Sequence, residues 1–159
     1  MLTHAQLTVL KAAILAEPSL AEALSSADDI AIASFFNEQA SPSFVVWKSS
    51  LTPEEARTAI SGGDGLSQLD NLTAGKRDSL LWLFEGETHP SNEAQRAAIQ
   101  GLCGTQNTLK AAILAAQKRM ATRFEKLFAV GTGTDASPAT LTVEGELTYA
   151  DVSLARSLP

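Results

Sequence analysis

Residues 131–159 read GTGTDASPATLTVEGELTYADVSLARSLP, and this stretch decides where the folded body ends. It opens as a tether. Gly131, Thr132, Gly133, Thr134, Ser137 and Pro138 supply turn chemistry and no bulky apolar anchor, so residues 131–140 are expected to be mobile in isolation. It closes differently. Thr140, Leu141, Thr142, Val143 and Glu144 alternate polar and apolar, the period of a half-buried strand. Gly145 turns the chain. Leu147, Tyr149, Val152 and Leu154 follow, with Thr148 and Asp151 spaced to cap a last short helix. Burying such side chains contributes roughly 1.5–3 kcal/mol each before ordering costs. An extended strand with open backbone groups can also add to a partner's sheet. The expected division is a helical domain over residues 1–130 and a flexible linker with a docking arm over residues 131–159. Leu141, Val143, Leu147, Tyr149, Val152 and Leu154 are the arm's interface candidates.

The segment before the tail reads as the longest helix, over about residues 109–129. Its apolar ridge is Leu109, Ile113, Met120, Phe124 and Leu127, and Gly131 or Gly133 ends it. Arg119, Arg123 and Lys126 fall on it at i, i+4 and i+7, with Lys118 beside them. A solvated face partly paired with Glu125 is the plainer reading of this stripe. Contact with an acidic partner surface is the functional one, and it makes these three cations interface candidates too.

Earlier in the chain, Thr3 and Gln6 form a capping box, Leu2 and Leu7 are spaced as a staple, and Leu7, Leu10 and Ile14 make a helical stripe that Pro18 ends. Ser19 with Glu22 opens a short second helix. Ser26 or Asp28 opens a third, with Ile32, Phe35 and Phe36 on one side. Ser41, Pro42 and Ser43 break the chain, and the bulky run Phe44, Val45, Val46, Trp47 reads as a buried extended segment. Thr52, Pro53 and Glu55 give a strong helix start, stopped by SGGDG at residues 61–65. A helix over about residues 73–85 carries Leu80, Leu81, Trp82, Leu83 and Phe84, and Ser91 caps another over about residues 92–102. The fold class is all-α: a small bundle of about six or seven short helices, with a long C-terminal helix followed by an extended arm of short strand, turn and short helix.

Hydrophobic residues make up 45% of the 159 and aromatics only 6%, which suits closely packed helices in one domain. The net charge of −6 argues against a default grip on DNA, which needs many cations, but is compatible with DNA passing nearby. No apolar run reaches the ~18 residues of a membrane span. The start, MLTHAQLTVLK, lacks the basic region and cleavage site of a signal peptide, so the protein is expected to be made in the cytoplasm.

No residue reads as catalytic, cofactor-binding or metal-ligating, and the chain does not read as an enzyme. His4 and His89 stand far apart without metal-ligand spacing. GTGT and GGDG lack the Lys-Ser/Thr of a phosphate loop, and Gly-x-Ser-x-Gly is absent. Asp28 with Asp29 and Glu54 with Glu55 suit helix N-termini better than acid–base work. Cys103, flanked by Leu102 and Gly104, reads as a core residue without the cations that activate a thiol. Trp47 and Trp82 sit among bulky neighbours, so core packing is expected of both.

Four stretches carry a resemblance: VVWKSSLT (residues 45–52), LDNLTAGKRDSLLWLF (69–84), HPSNEAQRAAI (89–99) and ATRFEKLFAVGTGTDASPATLTVEG (121–145). Together they resemble a group of short tailed-bacteriophage proteins encoded among head and tail assembly genes. The most specific part is ATR-x-EKLFA-x-GTGT-x-ASPATL. The resemblance implies a structural protein of the virion neck, a head–tail adaptor forming a ring of about twelve copies beneath the portal. It implies the portal protein, neighbouring copies and other neck or tail proteins as partners, no cofactor, and genomic DNA passing without sequence-specific binding. A stopper or tail-terminator layer, or a small nucleic-acid-binding helical regulator, are the alternatives.

Overall fold

The computed structural model describes all residues, Met1–Pro159. In chain order the elements are α1 (His4–Ala16), a 3-10 turn (Pro18–Leu20), α2 (Ala21–Ser25), α3 (Asp29–Asn37), β1 (Val45–Trp47), α4 (Pro53–Ser61), α5 (Gly65–Asp70), α6 (Ala74–Leu83), α7 (Glu93–Cys103), α8 (Asn107–Ala116), β2 (Lys118–Met120), α9 (Arg123–Leu127), β3 (Ala129–Val130), β4 (Thr140–Leu141) and α10 (Tyr149–Ser157). Helices cover 57% of the chain, and β1 with β2 and β3 with β4 form two small two-stranded sheets. The molecule is mostly helical, as expected, but no helix is long.

Helix starts follow local side-chain chemistry. Thr3, Thr52, Thr122 and Thr148 each accept from the backbone N–H of the third helical residue, while Gln6, Glu55, Glu125 and Asp151 reach back to the cap. These boxes satisfy N–H groups that a helix cannot bond internally. Asp28 caps α3 and Asn92 caps α7. The box expected of Ser19 and Glu22 does not form. Ser19 instead donates its N–H and hydroxyl to Glu17, in a 3-10 turn begun by Pro18.

The chain divides into two compact units. The first contains Met1–Val46 and Met120–Pro159. Its core joins Leu7, Leu10 and Ile14 of α1, Ile32, Ala33 and Phe36 of α3, Phe124 of α9, and Leu147, Val152 and Ala155 in and before α10. A smaller cluster holds Val46, Ala121 and Ala139, all fully buried. The second unit is Trp47–Arg119. Its core joins Leu51, Ala56 and Ile60 with Leu69, Leu80, Phe84, Ile99, Cys103, Leu109 and Ile113 from α5 to α8. Leu51 and Thr88 exchange backbone hydrogen bonds of 2.8 and 3.1 Å, which pin the entry to α4 against the loop before α7. A Cβ on Gly65 would stand 2.1 Å from the Ile60 carbonyl oxygen, so the tight α4–α5 turn admits only glycine.

Two expectations are corrected here. The helix expected over residues 109–129 is three elements, α8, β2 and α9. The backbone of residues 117–121 turns to bond the segment around β1: the Ala121 N–H donates to the Phe44 carbonyl at 2.9 Å, and the Lys48 N–H to that of Gln117 at 2.9 Å. Thr122 then restarts a helix with its own capping box. The boundary expected at residue 130 is likewise not where the chain divides. Residues 131–140 are packed into the first unit. The Val45 N–H donates to the Gly133 carbonyl at 2.7 Å, and the Ala139 N–H to the Val45 carbonyl at 2.9 Å. Thr140 pairs with Val130 and Leu141 with Ala129, antiparallel.

Candidate interaction surface

The tail's apolar residues separate into two groups. Leu147 and Val152 are buried in the core of the first unit, and Val143 packs against it half-buried. Leu141, in β4, is half-buried against the Val46–Ala139 cluster. Tyr149 and Leu154 point outward, 63% and 45% exposed. The split follows from helix geometry. Val152 and Ala155 face inward, whereas Tyr149, Ala150, Ser153, Leu154 and Ser157 form an outer face of α10 without a single charge. Charged anchors hold the helix in place: Arg156 bonds the Asp29 carboxylate, and Lys11 Nζ donates to the Leu158 carbonyl at 2.5 Å.

The three candidate cations do not share a helix face. Arg119 lies on β2, Arg123 and Lys126 on α9. Arg123 donates to Glu38 at 2.7 Å and to the Phe35 carbonyl at 2.9 Å, and its guanidinium lies 3.9 Å from the Phe35 ring centroid. Lys126 Nζ stands 5.5 Å from the centre of the Phe44 ring. Arg123, Lys126 and Leu127 line a groove of about 290 Å³ with Phe35, Phe36 and Glu17. Two hydrogen bonds from Ser19 hold the Glu17 carboxyl below its usual range, and the Arg123 charge adds to them. With Glu17 and Glu38 beside Arg123 and Lys126, the groove is a mixed-charge surface rather than a basic one.

The second unit treats its tryptophans differently. Trp47 is half-buried under Arg96, whose guanidinium lies 4.3 Å from the ring centre and donates to the Pro90 carbonyl at 2.5 Å. Burial there lowers the Arg96 pKa from its ordinary value. Trp82 contradicts the expectation of core packing: it is 68% exposed. Leu80 and Phe84 take the inward positions of this run, leaving Leu81 and Trp82 outside. Beside them lies a groove of about 320 Å³ floored by Ile60 and Leu69, walled by Leu66 and Leu81, with Glu54 and Arg57 at its rim. The sequence reading missed this surface because an unbroken apolar run reads as buried on all sides. The signal that could have found it is the short helix, since ten residues bury one face.

No group of three or more His, Cys, Asp or Glu side chains is placed to hold a metal. Cys103 is buried, and burial raises its thiol pKa, the opposite of activation. His89 Nδ1 stands 3.1 Å from the Ser49 carbonyl, a structural contact in the loop before α7. The Gln117 amide is 1% exposed, and neither Nε2 nor Oε1 has a hydrogen-bond partner. No helix is long and apolar enough to cross a membrane. No protein family, curated protein or solved structure matches the chain.

Proposed function

We propose that this chain is a structural protein of a tailed-phage neck, a head–tail adaptor whose copies form a ring beneath the portal. One observation carries the reading: the outer face of α10 is uncharged and presents Tyr149 and Leu154 to solvent, on a helix that one salt bridge and its core contacts hold firmly. An exposed aromatic and an exposed leucine on a rigid, uncharged face are interface chemistry rather than solvating chemistry. The resemblance of residues 121–145 to short tailed-phage proteins of the head and tail assembly genes supports the same reading. Docking then uses the outer face of a folded helix. Leu147 and Val152, expected in the interface, serve the chain's own core.

A ring needs two different complementary patches on each copy. The α9 groove with Arg123 and Lys126 is the second candidate patch, and its mixed charges suit a polar rim. The nucleic-acid-binding alternative keeps its small helices but loses the cation stripe as a motive, because that stripe is divided between β2 and α9.

The test is co-expression with the portal protein of the same phage, followed by native mass spectrometry and negative-stain electron microscopy. A ring of this chain on the portal, lost in Tyr149→Asp/Leu154→Asp, is expected. A chain that neither joins portal nor occurs in purified virions sinks the proposal.

A further inference from the structure

The second unit carries a knob and a hole side by side. Trp82 is the knob, 68% exposed at the end of α6. The hole is the groove of about 320 Å³ floored by Ile60 and Leu69 and walled by Leu66 and Leu81. Leu81 precedes Trp82 in the same helix, so their side chains diverge by about 100°. Trp82 therefore projects from the groove's wall and leaves the groove empty of its own indole.

Charge follows the same arrangement. Arg57 and Glu54 both line the groove, and Arg57 is its one cation. Glu85 follows Trp82 in the turn that ends α6, its N–H donating to the Trp82 carbonyl at 3.2 Å. Both side chains are exposed, and neither Arg57 nor Glu85 has an ion-pair partner in its own chain. A surface bearing an indole with a carboxylate beside it is what a groove with a guanidinium at its mouth would accept.

We infer that the occupant is a second copy of this chain, docked about a two-fold axis so that Trp82 of each copy fills the groove of the other and Glu85 of each meets Arg57 of the other. Adjacency decides the symmetry. A knob and hole on one patch are self-complementary and close as a pair, whereas a ring requires them on different faces. The inference is independent of the neck reading, since it uses residues of Trp47–Arg119 alone.

The test uses the full chain. Sedimentation velocity over a range of concentrations reads the mass. Fluorescence with iodide quenching in a Trp47→Phe background reads Trp82, the only other tryptophan. The expected result is a concentration-dependent doubling of mass, with a blue shift of Trp82 emission and a several-fold fall in its quenching. Trp82→Ala and Leu66→Lys, both at exposed positions, abolish the doubling while leaving the circular dichroism spectrum unchanged. Arg57→Glu weakens association at least tenfold, and Arg57→Glu/Glu85→Arg restores it. Trp82 that quenches freely at every concentration, or an assembly indifferent to all three single variants, overturns the inference. A partner other than this chain that alone protects Trp82 overturns it as well.

Discussion

The side-chain amide of Asn37 pairs with both backbone groups of Leu147, donating to its carbonyl at 2.9 Å and accepting from its N–H at 2.8 Å. One side chain at the end of α3 thus does for the tail what a neighbouring strand would do. It fixes the chain at the point where Leu147 enters the core. Asn37→Ala leaves two partly buried backbone groups without partners, at a cost of about 1–3 kcal/mol. Urea denaturation measures this. A change below about 0.5 kcal/mol, the scale of an ordinary surface substitution, would show that Leu147 holds its place without the amide.

Removal of residues 131–159 is a stronger test of the same relationship. It deletes Ala139, Leu147, Val152 and Ala155 from the buried set and strips α1 and α3 of the helix that covers them. The expected outcome is loss of the first unit's cooperative unfolding transition in calorimetry, with its apolar faces binding a fluorescent hydrophobic dye. A truncated chain that keeps every transition of the full one would restore the picture of a separable arm.

Gly133 takes a φ of +66°, and a Cβ there would stand 2.2 Å from Cε2 of Phe44. Gly131, at φ +127°, would place its Cβ 3.1 Å from Ala139 Cα. The GTGT run is therefore a packing device, with Phe44 lying where any side chain at position 133 would have to go. Gly133→Ala pays for left-handed backbone and for overpacking together, roughly 2–5 kcal/mol by the usual scale of each. Gly86→Ala, with open space around it and no positive φ, is the control and should be close to neutral. Thermal unfolding of the two variants separates these outcomes.

Where the structure was legible in sequence, the signal was local. Thr3 with Gln6, Thr52 with Glu55 and Thr148 with Asp151 announce their helices through spacing alone, and all three boxes form. Thr122 with Glu125 has the same grammar, yet the apolar ridge running from Leu109 to Leu127 hid it. What broke that ridge is a tertiary event, the pairing of residues 117–121 with the segment around β1, and no local pattern encodes a partner about seventy residues away. The tail failed for the same reason. Its alternation was real, and Leu141 does lie in a strand, but the linker's one decisive anchor is Ala139, a methyl too small to register as apolar patterning. Of the tail's six apolar interface candidates only Tyr149 and Leu154 are exposed, and the exposure of Trp82 was missed, because exposure depends on which side of a helix its neighbours cover.

The Gln117 amide is buried without a partner for either of its polar atoms. Desolvation without a compensating hydrogen bond costs about 1–3 kcal/mol in mutational series. Met has nearly the same length and shape and carries no such penalty, so Gln117→Met is expected to raise stability by up to about that amount. The Gln117 backbone, which accepts from the Lys48 N–H at 2.9 Å, is untouched by the change. Chemical denaturation checks the sign. A clear loss of stability would mean that the amide is hydrogen-bonded in solution, to a buried water or a shifted side chain.

Glu55 gives the fold a pH dependence whose sign can be worked out. Its carboxylate accepts from Lys48 Nζ at 2.8 Å and from the Thr52 N–H at 2.9 Å, and these bonds, the lysine's first, lower its pKa from 4.5 to about 2. The folded value lies below the unfolded one. The group's contribution to stability is therefore present above about pH 4.5 and is lost as pH falls towards 2. The side chain is 44% exposed, so solvent and salt screen much of the interaction. Glu55→Gln keeps an oxygen to accept from the Thr52 N–H and removes only the charge, which makes it the right reference. The wild-type chain should exceed this variant in stability near neutral pH. That advantage should shrink below about pH 4.5, vanish near pH 2, and narrow when salt is added at neutral pH. An advantage that stays constant across this range would mean that the lysine contact is not what holds the carboxylate ionised.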